Sequence, residues 1–138
     1  MTITGLAGMS YEMCIVYLYQ MERGSLFSSI GLLFASFMVG SSTGAFGGRR
    51  LRRFLFRRAL QTQAGIVLLC VFTGLMWPFV TANAAIPFAL NLCMGFLIGM
   101  EYALFSKVCL RKGVKVGAVL YGVDLLGGGL GGVITGLY

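Results

Sequence analysis

Three acidic side chains sit inside or at the edge of long apolar runs: Glu12, Glu101 and Asp124. A carboxyl at membrane depth costs about 2.5 to 3.5 kcal/mol on insertion scales, so it faces either a partner or water. Glu12 and Asp124 are the deep cases. Glu101 falls in the last two turns of its run, six residues before Lys107, a basic side chain that could neutralise it. Two uses remain open for this set. A protonated carboxyl can bond across helices as a polar clamp, with Tyr11, Tyr102, Tyr121, Asn91 or Gln20 as candidate partners. Alternatively the acids form a proton- or cation-linked site between the first, fourth and fifth apolar runs.

Other chemistries find no residues to carry them. The chain has no histidine, which excludes His-ligated haem and His-containing metal sites. Its four cysteines, Cys14, Cys70, Cys93 and Cys109, show no close paired spacing and read as reduced, small apolar side chains. No nucleophile–base pair, metal cluster or phosphate-binding loop stands out, so neither catalysis nor a cofactor or metal is expected.

The elements that must position these acids are membrane helices. Only 11% of the 138 residues are charged against a quarter in soluble domains, and the mean hydropathy is +0.89. The fold class expected is an all-α integral membrane protein, one domain over residues 1–138, with about five transmembrane helices packed through glycine-rich faces. The spans fall at about 3–19, 26–48, 59–80, 86–106 and 116–138, each near the length a bilayer requires. The N-terminus lacks a basic stretch followed by a small-residue cleavage site, so the first span is expected to serve as its own insertion signal. Trp77 and Pro78 suit an interfacial end of the third span.

Glycine supplies the packing signal. Residues four apart share one helix face. Ser36, Gly40, Gly44 and Gly48 form one stripe, and Asn91, Gly95 and Gly99 a second. Asp124, Gly128, Gly132 and Gly136 form a third. Small residues at this spacing let membrane helices approach closely. Spans one to two and four to five each place an acid before a glycine stripe, a weak internal repeat.

The net charge of +7 could signal nucleic-acid binding, but the basic residues are confined to two short loops. Arg49, Arg50, Arg52, Arg53, Arg57 and Arg58 fill one; Lys107, Arg111, Lys112 and Lys115 fill the other. Leu51, Phe54, Leu55 and Phe56 interleave the arginines. Beside a span this mixture marks topology and contacts anionic lipid rather than nucleic acid. The positive-inside rule then places both loops and the N-terminus in the cytoplasm, with Tyr138 on the outer side of the inner membrane.

Several segments resemble a known family. Gly8-Met-Ser-Tyr-Glu12, Gly31-Leu-Leu-Phe-Ala-Ser-Phe-Met-Val-Gly40, Gly44-Ala-Phe-Gly-Gly-Arg-Arg-Leu51 and Leu120-Tyr-Gly-Val-Asp-Leu-Leu-Gly-Gly-Gly-Leu-Gly131 carry the likeness. Together they resemble the membrane part of fused spermidine synthase-like proteins, a major-facilitator-like helical region joined to an aminopropyltransferase-like domain. The chain contains no strand, glycine loop and helix unit for such a catalytic domain. The apolar spans and glycine stripes point to the lipid bilayer and to other membrane subunits or a second copy as partners; the resemblance implies a membrane module without its catalytic domain, supplied by a separately encoded soluble enzyme domain or put to another use.

Overall fold

The computed structural model describes residues 2–24, 27–50, 55–83, 85–110 and 116–137. Arg52, Arg53, Arg111, Lys112 and Lys115 lie outside them. The described chain is helical: α1 (Thr2–Arg23), α2 (Phe27–Arg50), α3 (Leu55–Leu75), α4 (Trp77–Ala82), α5 (Ala85–Leu110) and α6 (Val116–Leu137).

Local chemistry sets the helix ends. Gly24 takes the left-handed conformation, φ 78°, and its N–H donates to the Gln20 carbonyl at 3.0 Å, closing α1. The expected third span is not one helix but two. Pro78 has no N–H for the Gly74 carbonyl and its ring crowds the preceding turn, so the helix breaks at Met76. Asn83 then starts α5, its Oδ1 accepting from the Ala85 N–H at 3.1 Å. Pro87 falls in the first turn of α5, where a missing N–H costs nothing.

Among the described residues three helices are long and apolar enough to cross a bilayer: Phe27–Arg50, Arg57–Leu75 and Ala85–Val108. Large apolar side chains cover their outer faces. Met38 on α2 and Val67 and Leu68 on α3 are more than half exposed, an arrangement suited to lipid rather than water.

Two helix pairs make the frame, α2 with α5 and α1 with α6, and α5 also carries α3 and joins α1. Gly40 meets Leu92 and Gly48 meets Met100, so α2 and α5 run parallel. Thr4 meets Glu101 and Gly8 meets Ile98, so α1 runs antiparallel to α5. Gly5 lies against Asp124 and Gly131 against Leu6 and Ser10, which makes α6 parallel to α1. The core between these pairs is built on Tyr11, Ile15, Val16, Tyr19, Leu33, Ile66 and Met94.

Candidate functional site

The site grows from the seam between α1 and α5. Its contacts form a ladder: Thr4 with Glu101, Gly8 with Ile98, and Tyr19 edge-on to Phe88 at 5.8 Å. The same register sets Glu12 level with Met94. The ladder holds because α1 turns Thr4, Gly8, Glu12, Ile15 and Tyr19 to one side, all buried.

At the lower end of the ladder, Thr4 Oγ1 donates to Glu101 Oε1 at 3.0 Å. Glu101 is 0% exposed and its second oxygen, Oε2, has no hydrogen-bond partner. Asp124 approaches from α6 and lies against Gly5, the residue after Thr4. A Cβ added to Gly5 would lie 2.5 Å from the Asp124 carbonyl oxygen and 2.8 Å from Asp124 Oδ1. Only glycine therefore lets α6 bring this acid so close to α1. Thr4 and Asp124 both line a cavity of about 430 Å³ whose other walls are Gly5, Gly8, Met9, Phe37, Ser41, Ile98, Leu125, Gly128 and Gly129. It occupies the gap between the two helix pairs.

Glu12 lies apart. It is 3% exposed, its Oε1 has no partner, and it is not among the residues lining this cavity. Eight residues separate it from Thr4, about 12 Å along the helix. The three acids thus divide: Glu101 bonds Thr4 and Asp124 lies against Gly5, the next residue, while Glu12 stands higher in the seam.

Two of the candidate partners, Tyr11 and Asn91, bond elsewhere. Tyr11 Oη pairs with Thr73 Oγ1 at 3.0 Å. Asn91 Nδ2 donates to the Leu33 carbonyl at 2.8 Å, leaving Asn91 Oδ1 unpartnered. Lys107 does not serve Glu101 either: its Nζ donates to the carbonyls of Gly48 at 3.0 Å and Arg49 at 2.6 Å, capping the C-terminus of α2. Thr4 was the partner that residue type concealed. Its signal was position, four residues before Gly8 and eight before Glu12 on one stripe.

The glycines take three kinds of place. Gly40, Gly44, Gly95 and Gly99 lie where any Cβ would strike the facing backbone, of Leu92, Phe96, Phe37 and Ser41 respectively. A Cβ at Gly48 would come to 2.7 Å from that of Ala103. Ser36 is half-buried and bonds its own helix, Oγ to the Leu33 carbonyl at 2.7 Å. On α6 the stripe is turned from the expected one. A Cβ at Gly128 would meet Met9 Cγ at 3.1 Å, but nothing lies within 4 Å of one at Gly132 or Gly136. Gly127, against Thr2, and Gly131, against Leu6 and Ser10, make the close approach instead. The reason is Asp124: placing its backbone on Gly5 rotates positions 127, 128 and 131 toward α1.

Arg49, Arg50, Arg57 and Arg58 are exposed. Cys14, Cys70 and Cys93 are free thiols. No group of three or more metal-ligating side chains gathers among the described residues. A second cavity, about 640 Å³, lies between α1, α3 and α4 and is walled by Tyr11, Cys14, Ile15, Cys70, Thr73 and Trp77 among others.

No family model, curated protein or solved structure matches the chain.

Proposed function

We propose that the chain is a non-catalytic integral membrane subunit with five crossings, α3 and α4 together forming the third, that packs against partner helices in a complex of the cytoplasmic membrane. The described basic residues support an orientation with Thr2, Arg49, Arg50, Arg57, Arg58 and Lys107 at the cytoplasmic end and the end of α6 outside. The likeness to the membrane part of spermidine synthase-like proteins adds a separately encoded soluble enzyme domain as a candidate partner.

One observation carries this reading. The outer face of α6 holds Gly132 and Gly136, where an added Cβ meets nothing within 4 Å, beside exposed Val133 and Leu126. A small-residue face turned outward leaves room for another helix to approach closely. Purification in mild detergent followed by mass spectrometry should bring down a second membrane chain or a second copy. A stable monomer with no co-purifying chain would remove the reading.

A second reading, a small cation- or proton-linked transporter working as an oligomer, is favoured by the unpartnered carboxylate oxygens of Glu12 and Glu101. Buried acids left without partners usually mark ion or proton pathways. It predicts flux in liposomes that Asp124→Asn or Glu12→Gln abolishes at equal protein levels, and unchanged flux in both variants would end it.

A further inference from the structure

We propose that the outward face of α3 binds one anionic phospholipid of the cytoplasmic leaflet, its phosphate on Arg57 and one acyl chain along the groove from Leu60 to Val71. This requires α3 to cross the membrane with its arginines at the cytoplasmic side, as proposed above, and is independent of the partner helix proposed for α6.

The packing of α3 leaves this face open. Thr62, Ile66 and Thr73 turn inward and are buried. On the opposite side Leu60, Gln63, Ala64, Val67, Leu68 and Val71 line a groove of about 550 Å³. Ala64, the smallest of these side chains, sits in the middle; Leu60, Val67, Leu68 and Val71 around it are each more than half exposed. The rise from Leu60 to Val71 is about 16 Å. One leaflet's share of the hydrocarbon core is about 15 Å. The groove therefore has the length of a single acyl layer.

Charge decides what sits at its end. Arg57 lies three residues before Leu60 and seven before Ala64, so it shares their face, and it is exposed. Arg58 beside it is exposed too. The chain's four acids stand elsewhere: Glu12 is buried in the α1–α5 seam, Glu101 bonds Thr4, Asp124 lies against Gly5, and Glu22 is at the far end of α1. An arginine at headgroup depth with no acid beside it matches phosphate, whose oxygens its planar fork meets in pairs. Gln63, about 9 Å further along the helix than Arg57, adds an amide below the headgroup, where ester oxygens of the lipid can accept from it.

The same groove does not suit a helix. On α2 and α5 glycines four residues apart admit a second backbone. Here Ala64 is alone among branched and longer side chains, which hold another backbone away. A flexible acyl chain can follow that relief.

The experiment is native mass spectrometry of the detergent-solubilised full chain titrated with palmitoyl-oleoyl phosphatidylglycerol, and with phosphatidylcholine of the same chains as the neutral probe. Wild type should bind phosphatidylglycerol about tenfold or more tighter than phosphatidylcholine, the worth of one charge-assisted hydrogen bond. Arg57→Gln should remove that preference. Arg23→Gln, which deletes the same charge at the other end of the molecule, should keep it. Ala64→Trp fills the groove from an exposed position and should weaken both lipids severalfold while helicity and elution volume hold. Leu68→Trp, on the same exposed face, takes its place if that chain does not fold. Equal affinity of wild type for the two lipids would overturn the site. Equal loss of preference in Arg23→Gln and Arg57→Gln would also overturn it, in favour of diffuse charge attraction. Unchanged lipid binding in Ala64→Trp would overturn it as well. A protein chain that co-purifies with wild type and is lost with Ala64→Trp would overturn it in favour of a helix on this face. A monomer that keeps the phospholipid preference would end the subunit reading and keep this site.

Discussion

The two helix pairs that frame the molecule use glycine differently. Between α2 and α5 it is reciprocal: Gly40 and Gly44 admit the backbone of Leu92 and Phe96, while Gly95 and Gly99 admit that of Phe37 and Ser41. The result is backbone against backbone on both sides, with no acid at these contacts. Between α1 and α6 the glycines that admit the facing backbone closest are Gly127 and Gly131 on α6 and Gly5 on α1, and the last exists to seat Asp124. The first seam is built for close packing alone. The second packs around an ionisable group and leaves a cavity beside it. Close approach in a membrane replaces the hydrophobic drive that water would supply, so a two-sided seam should be the firmer of the two.

Substitution at the reciprocal seam should therefore do most damage. Gly44→Leu drives a side chain into the Phe96 backbone, where no flexible atom can yield. A cost of about 3 kcal/mol or more follows for overpacking of this kind. Loss of the folded species in detergent gel filtration, together with rapid degradation in cells, is the expected result. Normal yield and melting temperature would show that the seam is not the frame. Gly131→Leu should cost less, about 1 to 3 kcal/mol, because the Leu6 carbonyl oxygen stands 2.6 Å from an added Cβ, farther than the Phe96 carbonyl oxygen does at Gly44. The comparison fails if Gly131→Leu proves the more damaging of the two.

A smaller effect belongs to Thr4. Thr4→Val keeps the shape and removes the hydroxyl that donates to Glu101. Hydrogen bonds between membrane helices average about 0.6 kcal/mol and reach about 1.7, and burial of the second carboxylate oxygen places this one in the upper part of that range. Thermal unfolding in detergent measures it. If Thr4→Val costs the same in a Glu101→Leu background, which has no acceptor, as in wild type, the bond contributes nothing to stability.

How much of this was legible in the residues follows the same division. The α2 and α5 stripes could be read because their glycines recur every four residues: between Gly40 and Gly48 only Gly47 falls off the stripe. On α6 glycine occupies 127, 128, 129, 131 and 132, so several phases fit. The acid decided among them, and that decision needed the position of Gly5 on another helix. The break at Met76 was signalled by Pro78, yet the apolar run passes through it without a change in composition. That Glu101, and not Glu12, shares the Thr4–Gly5 turn with Asp124 depends on the antiparallel register of α1 on α5. A sequence pattern fixes which residues share a face; it does not fix which turn of one helix lies beside which turn of another.

The turned stripe on α6 yields the smallest expected effect on the fold and the most specific one on assembly. Gly132 and Gly136 face away from α1, and a side chain there meets open space. Gly132→Leu should leave monomer stability within about 0.5 kcal/mol of wild type, as for a surface change that strikes nothing. It should also remove a helix from the outside, since a branched side chain blocks the approach that small residues permit. Gly131→Leu, one residue back, reverses the order by damaging the chain before any partner is met. Co-purification of the two variants with the membrane fraction's partner chain, each normalised to folded protein, separates the faces. Equal recovery of the partner with Gly132→Leu and wild type would mean that the outward face of α6 meets only lipid.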